Sequence, residues 1–125
     1  MAYIQDSSQS FTISLSAFLE GLGILNYIGV YNHTQSADYE WFDGAWQTPL
    51  PQAVEADDVE VYVEVINEGA TTDDLFAEFV SPQITPLSPL KEMPNVTVGY
   101  GDGVSWSFTM PPENVNITIN AGHVE

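Results

Sequence analysis

The sequence contains no cysteine and no arginine, and its one basic side chain is Lys91. Without cysteine the chain has no disulfide, no cysteine-type zinc site and no thiol nucleophile, so its stability depends on packing. Asp and Glu total 18, which gives a formal net charge of −17 at pH 7 over 125 residues. Such a chain repels phosphate backbones and anionic lipid. The charge therefore argues against nucleic-acid and membrane partners and favours a cation or a basic partner.

The first residues also lack Lys and Arg, so the positive segment that begins a secretory signal is not predicted. The most apolar stretch runs from Leu15 to Tyr31 and contains Glu20, Asn26 and three glycines. It is at the short limit for a transmembrane span, and buried strands give the same hydropathy. The sequence predicts strands here rather than a membrane span.

Apolar residues recur at every second position along most of the chain, whereas helical periodicity is scarce. The clearest strand is Val59–Ile66, in which the valines face a core and the intervening Glu and Tyr residues face away. Asp43 and Gly44 suit the tight turn of a hairpin because both tolerate positive φ. Further strands are predicted at 11–19, 24–31, 39–42, 45–47, 75–80, 95–99, 103–109 and 115–121, with a proline-rich extended connection at 81–94.

About eight short, mainly antiparallel strands at this spacing predict an all-β fold, an immunoglobulin-like or jelly-roll-type β-sandwich. A chain of this length has room for one core, so residues 1–125 are predicted to form a single domain, and residues 1–10 are left open as an N-terminal arm. The predicted interior consists of Val61, Val63, Val65, Trp106, Phe108, Ile117 and Ile119.

Two segments of the second half carry a resemblance to a known class of domain. Val59–Gly69 resembles the alternating strand and Asn-x-Gly turn of immunoglobulin-like domains related to cell adhesion. Trp106–Pro111, followed by Val115–Ile119, resembles the closing hairpin of immunoglobulin-like repeats on microbial surfaces. The resemblance implies adhesion or assembly rather than catalysis, although both core cysteines of antibody-type domains are missing.

The sequence offers no motif for catalysis. No serine lies in a Gly-x-Ser-x-Gly turn, and the glycine cluster at 99–103 lacks the lysine of a phosphate-binding loop. The two histidines, His33 and His123, are isolated in the sequence, and isolated surface histidines are seldom bases or ligands. The chain is therefore predicted not to be an enzyme.

Acidic residues are concentrated between positions 55 and 78, where nine of them fall. Calcium is bound by several oxygens that converge from loops. Asp57, Asp58, Asp73 and Asp74 flank strands, so they are the candidate ligands if their loops share one end of the sandwich. No calcium-loop consensus is present, and an acidic surface in contact with water is the favoured alternative. No cofactor is predicted apart from this calcium hypothesis.

Aromatic residues crowd the predicted hairpin at Tyr39, Trp41, Phe42 and Trp46. Exposed, they would form a platform for sugar rings or for the apolar patch of a partner, and buried they would belong to the core. Because Trp41 and Phe42 are adjacent on a strand, their side chains must point to opposite faces. These four are the candidate interface or glycan-binding residues, with the core as an equal alternative.

An acidic all-β chain without an export signal or a catalytic motif fits a component that assembles inside a cell and later faces the outside. The first hypothesis is a virion accessory protein, a capsid decoration, cement or fibre subunit in contact with its own copies and a larger protein assembly. The second is a glycan-binding or adhesive module on an extracellular surface. Copies are expected to meet through aromatic residues of the first half of the chain, where acids are few.

Overall fold

The computed structural model of the chain describes residues 2–13, 18–19, 25–47 and 49–124. Those residues form strands and turns, which confirms the predicted all-β class, and none of them forms a helix long and apolar enough to cross a membrane. The strands of the described part are β1 Tyr3–Ile13, β2 Phe18–Leu19, β3 Leu25–Asn32, β4 Ala37–Phe42, β5 Ala45–Trp46, β6 Asp58–Ile66, β7 Asp73–Val80, β8 Leu90–Val96, β9 Gly101–Thr109 and β10 Val115–Val124.

The strands form two five-stranded antiparallel sheets, and their packing confirms the predicted β-sandwich. Sheet 1 has the order β2-β1-β10-β7-β8, and sheet 2 has the order β5-β4-β3-β6-β9. The first and last long strands pair from Tyr3 opposite Val124 to Ile13 opposite Val115. Residues 3–10, which the sequence left open as an N-terminal arm, therefore lie in β1 and belong to sheet 1.

The core lies between the sheets and follows the alternation of the sequence. Val61, Val63 and Val65 of β6 have 0% exposure, so the inward phase of this strand is as predicted. A slip of one residue would turn every one of these valines to water, which is why the register is strongly specified. The predicted core residues Trp106, Ile117 and Ile119 are also buried, whereas Phe108 is half-buried and packs against the core from its edge.

The predicted hairpin is present as β4 and β5. Asp43 and Gly44 both have positive φ, 53° and 74°, as a tight two-residue turn requires. Trp41 lies opposite Trp46, and Phe42 lies opposite Ala45. The turn chemistry therefore sets the register that decides which aromatic rings enter the core.

The strand boundaries differ from the expectation at β8. The proline-rich segment was predicted as a connection up to Pro94 with a strand after it, but β8 already begins at Leu90 and includes that proline. Proline is tolerated there because β8 is the edge strand of sheet 1. The next residue, Asn95, has a φ of 54°, and the pairing with β7 shifts register nearby, so a bulge interrupts the strand just before its last residue.

Part of the first predicted strand cannot be compared with the structure. The alternation was extended through Leu15 and Ala17 to Leu19, with a break at Gly21 and Gly23. Of these positions only Leu19 lies in the described part, where it is opposite Phe11. The other four lie outside the described residues.

Candidate binding face

Three of the four aromatic candidates from the hairpin are turned toward the core. Trp41 is buried with 4% exposure. Trp46 is half-buried, and its ring centroid lies 6.0 Å from that of Phe11, a residue of the opposite sheet. Tyr39 is also half-buried and packs against the core. Of the two alternatives left open, an exposed platform or the core, Trp41 therefore takes the core.

The fourth candidate, Phe42, lies on the outer face of sheet 2. Its ring stacks on that of Tyr27 with centroids 6.5 Å apart and planes 18° apart. Tyr27 in turn meets the edge of Tyr62 at 5.9 Å, and its hydroxyl lies 2.9 Å from the hydroxyl of Tyr31. We call the half-buried set Tyr27, Tyr31, Phe42 and Tyr62 the tyrosine face. It joins residues of β3, β4 and β6 into one continuous aromatic surface.

Two glycines allow the tyrosine rings to lie along the sheet. A Cβ at Gly29 would overlap the phenol of Tyr31, and a Cβ at Gly103 would overlap the phenol of Tyr62. Neither glycine has a positive φ, so the backbone does not require them. Because these glycines have no side chain, there is space above them for a tyrosine ring to lie against the backbone of the strand. The result is a low, flat surface.

Carboxylates alternate with the rings on this face. Glu40 accepts a hydrogen bond from the Tyr27 hydroxyl at 2.8 Å, and Glu64 accepts one from the Asn26 amide at 2.8 Å. Glu60 Oε1 lies 2.9 Å from Nε2 of His33. The one cationic residue, Lys91, lies elsewhere, where its Nζ donates to the Ser105 carbonyl at 2.6 Å and lies over the ring of Trp106. The face therefore carries aromatic rings in a field of negative charge.

The pKa values of two phenols of this face, those of Tyr27 and Tyr62, are raised. The pKa of Tyr27 is raised well above its ordinary value, chiefly by burial and then by the hydrogen bonds with Tyr31 and Glu40. Burial also raises the pKa of Tyr62, and the negative charge of Glu64 adds to the effect. Neutral phenols with accepting carboxylates beside them can stack on flat groups and can hold a cation.

The four predicted metal ligands are not brought together. Asp57 and Asp58 lie at the start of β6, whereas Asp73 and Asp74 begin β7, beside Asn67 and thus beyond the end of β6. A nine-residue strand separates the pairs, which is about 25 Å at the usual rise. The condition set for a calcium site, that their loops share one end of the sandwich, is therefore not met. Among the described residues, no group of three or more His, Asp or Glu is placed to hold a metal ion.

Asp57 has a local role that its sequence position did not reveal. The side chain has only 2% exposure, and it accepts hydrogen bonds from the Asn32 amide at 2.8 Å, the Val54 backbone N–H at 2.9 Å and the Gln35 amide at 3.2 Å. These donors, the Asn32 amide first, lower its pKa. Asp57 thus ties the loop before β6 to the end of β3, beside a hollow of about 150 Å³ that Tyr39 also lines.

A larger groove of about 490 Å³ lies at the other end of the sandwich. Nδ1 of His123 contacts the carboxylate of Asp6 at its rim, and Glu68 and Asp73 line it. The amide of the buried Asn67 donates to the backbone carbonyls of Thr71 and Val96, at 3.0 and 2.8 Å, so it shapes the groove wall. The groove is formed mainly by the loop between β6 and β7, and acidic residues line its rim.

Sequence reasoning named Phe42 as a candidate and included Tyr27 and Tyr31 only among the aromatic residues of the first half, without joining them to Tyr62 in one face. The signal for Tyr62 was present, because alternation in β6 already pointed it away from the valines. The rest depended on the pairing of β3 with β6, in which Gly29 lies opposite Tyr62. That pairing joins residues 33 positions apart by number, and alternation within one strand does not reveal it.

The described residues define the chain as a two-sheet antiparallel β-sandwich with an aromatic and acidic outer face. Comparison with protein-family models, with curated proteins and with solved structures finds no match to this chain. The resemblance of the second half to immunoglobulin-like domains therefore stays a prediction.

Proposed function

We propose that this chain is a non-enzymatic assembly subunit, a virion accessory component of the decoration, cement or fibre type, which attaches through the tyrosine face and is displayed on a particle surface. The observation that carries the proposal is the continuous aromatic surface on the outer face of sheet 2, formed by Tyr27, Tyr31, Phe42 and Tyr62. Contiguous apolar patches that are bordered by polar residues often mark protein–protein contacts, and this surface has both features.

The composition of the face supports a protein contact. Tyrosine and phenylalanine are enriched at interfaces because they supply a large contact area with few torsion angles to fix. Tyr27 and Tyr31 are further restrained by their mutual hydrogen bond, so little additional ordering is needed when a partner binds. The glycines beneath the rings keep the surface flat, which suits the broad contact between neighbouring subunits of a shell.

Three residues of the face belong to the first half of the chain, where the sequence predicts that copies meet through aromatic residues. Phe11 and Trp41 of that half are buried, but Tyr27, Tyr31 and Phe42 remain on the outer face. With a net charge of −17, free copies repel one another at low ionic strength. Added salt shortens the Debye length to about 8 Å near physiological strength, so contact through the rings becomes easier.

Sedimentation velocity of the purified chain between low and molar salt tests this proposal. We expect larger species to appear as salt rises, and we expect the double variant Phe42→Ala with Tyr62→Leu to remain a monomer. Tyr100→Ala is the matched control because this tyrosine is 69% exposed and lies in a loop outside the face. A wild-type chain that is monomeric at every salt concentration contradicts assembly through its own copies.

The second candidate function is glycan binding by the same face, as an adhesive surface module. The observation that favours it is the alternation of flat rings with carboxylates such as Glu40 and Glu64, since sugars stack on rings and donate hydroxyl hydrogen bonds. Neutral oligosaccharides on an array distinguish the two functions. Retention that Tyr62→Leu abolishes, together with a monomeric protein, places the adhesive function first.

A further inference from the structure

We propose that the partner group bound by the tyrosine face is an arginine-bearing segment of another protein. This inference rests on the proposed assembly function and names the chemistry of the contact. A guanidinium is planar and permanently charged, so it stacks on aromatic rings while its N–H groups pair with carboxylates. The face offers both kinds of group side by side.

The strand register places a carboxylate next to each ring position of β3. Tyr31 lies between Asp38 of β4 and Glu60 of β6, and Tyr27 lies beside Glu64. Cross-strand neighbours on one face are about 4.5–5.5 Å apart at Cβ, which is within reach of one guanidinium. A segment crossing the strands would therefore meet a ring and a carboxylate at each step.

Between them, Gly29 occupies the centre of the pattern. It is flanked by Glu40 on β4 and by Tyr62 on β6, and it has no side chain of its own. The phenol of Tyr31 covers it, so the centre of the face is a ring surface with carboxylates on the neighbouring strands. This arrangement suits a flat cation better than the compact ammonium of lysine.

Charge makes a second copy of the chain a poorer occupant of this surface than a cationic segment. A second copy would bring Glu40, Glu60 and Glu64 against like charges, which is unfavourable without a cation between them. The chain has one Lys and no Arg to supply that cation, and Lys91 already donates to a backbone carbonyl. Unless salt screens these carboxylates, a close contact at this face therefore favours a partner that brings positive charge over a second copy of the chain.

The test uses a fluorescently labelled decapeptide of alternating Gly and Arg, with matched Lys and citrulline peptides, and measures anisotropy at physiological salt. We expect the Arg peptide to bind about fivefold more tightly than the Lys peptide, and the neutral citrulline peptide to bind weakest. Tyr62→Leu and Glu64→Gln should each weaken Arg-peptide binding about fivefold or more. Gly103→Ala, which displaces the Tyr62 ring without removing it, should weaken it as well.

The matched controls separate this site from the general negative charge of the chain. Glu113→Gln removes one exposed acid in a turn outside the face, and Tyr100→Ala removes one exposed ring outside it. Both should change the affinity less than about twofold, since neither touches the face. Equal weakening by Glu113→Gln and Glu64→Gln, or equal binding of the Arg and citrulline peptides, overturns the proposal.

The same variants separate a failure of this inference from a failure of the proposed function. If Tyr62→Leu abolishes assembly in sedimentation but leaves Arg-peptide binding unchanged, the assembly function stands and the arginine contact is wrong. If Tyr62→Leu weakens Arg-peptide binding while the wild-type chain is always monomeric, the arginine contact stands and self-assembly is wrong. Binding of neutral oligosaccharide in place of any peptide overturns the arginine contact.

Discussion

Along their centres the outer faces of the two sheets carry different kinds of side chain, although one end of sheet 1 also holds the ring of Tyr3 against that of Phe76. On sheet 1, hydroxyl and amide groups of β1 and β10 lie directly opposite one another and hydrogen-bond across the strands. We call these three pairs the polar ladder: Ser8 with Asn120 at 2.6 Å, Ser10 with Thr118 at 2.8 Å, and Thr12 with Asn116 at 2.6 Å. The outer face of sheet 2 carries the tyrosine face instead.

The difference between these faces shows why a partner protein would bind one sheet surface and not the other. Each pair of the polar ladder satisfies its hydrogen bonds within the sheet, so a partner gains little by displacing it. The tyrosine face instead presents rings, whose surfaces are still favourable to cover, beside carboxylates that attract a cation. The same core therefore supports one self-contained face and one face suited to a partner.

The largest expected effect tests whether both faces depend on that shared core. Trp106 of sheet 2 is buried, and its ring lies 5.5 Å from that of Phe79 in sheet 1. Trp106→Ala should lower the free energy of unfolding by about 3–5 kcal/mol through lost burial and a cavity. Urea unfolding should show one transition by circular dichroism and by tyrosine absorbance.

Amide hydrogen exchange on this variant shows whether the two sheets unfold together. If the amides of β1 and β10 keep their protection while those of β3 and β6 lose it, the sheets are independent and the comparison of two faces on one core fails. Val54→Ala is the matched control, since Val54 is 55% exposed and should change stability by less than about 0.5 kcal/mol.

Alkaline pH should separate the tyrosine face from the polar ladder next, because the ladder contains no phenol, although sheet 1 carries one at Tyr3, whose hydroxyl donates to Glu92. The folded pKa of Tyr27 lies above the ordinary value of 10.0. Above pH 10 the unfolded chain therefore releases this proton while the folded chain keeps it, so stability is complete below that pH and is lost as pH rises. The loss is at most about 1.4 kcal/mol for each pH unit, and less with solvent screening.

The measurement is the free energy of unfolding in urea at several values between pH 9 and pH 11.5. Tyr27→Phe is the comparison, because it removes the titrating group and keeps the ring that stacks on Phe42. Groups that do not interact with Tyr27 are common to both proteins, so their contributions cancel in the difference. Parallel curves for the two proteins would show that Tyr27 does not link stability to pH.

Much of the fold could be predicted because alternation is local. The valines of β6, the turn at Asp43 and Gly44, and the inward phase of β10 are each specified by neighbouring residues. β8 was predicted less well, since Pro94 is compatible with a strand only when that strand is an edge. Whether a strand is an edge depends on the whole sheet, which the local sequence does not specify.

The candidate site was harder to predict because it depends on pairing between distant strands. Alternation separated Trp41 from Phe42 but did not say which of them faces the core. The choice follows from Phe11 of the opposite sheet, against which Trp46 packs, and from the register of Trp41 with Trp46. Similarly, Asp57 and Asp73 both flank strands, and only the position of β6 between them shows that they lie far apart.

The smallest expected effect concerns the polar ladder and completes the comparison. Thr12→Val removes the hydroxyl that donates to Asn116 while keeping the β-branched shape that strands favour. Since exposed cross-strand pairs contribute about 0.2–1 kcal/mol, the free energy of unfolding should fall by no more than that. Binding of the Arg peptide should be unchanged, because the ladder is on the opposite side of the sandwich.

Tyr31→Phe is the matched loss of one hydroxyl on the tyrosine face, where the hydrogen bond to Tyr27 is lost. Urea unfolding and anisotropy on both variants measure the contrast, and a fall in Arg-peptide affinity with Thr12→Val as large as that with Tyr62→Leu would show that the polar ladder is a binding surface too.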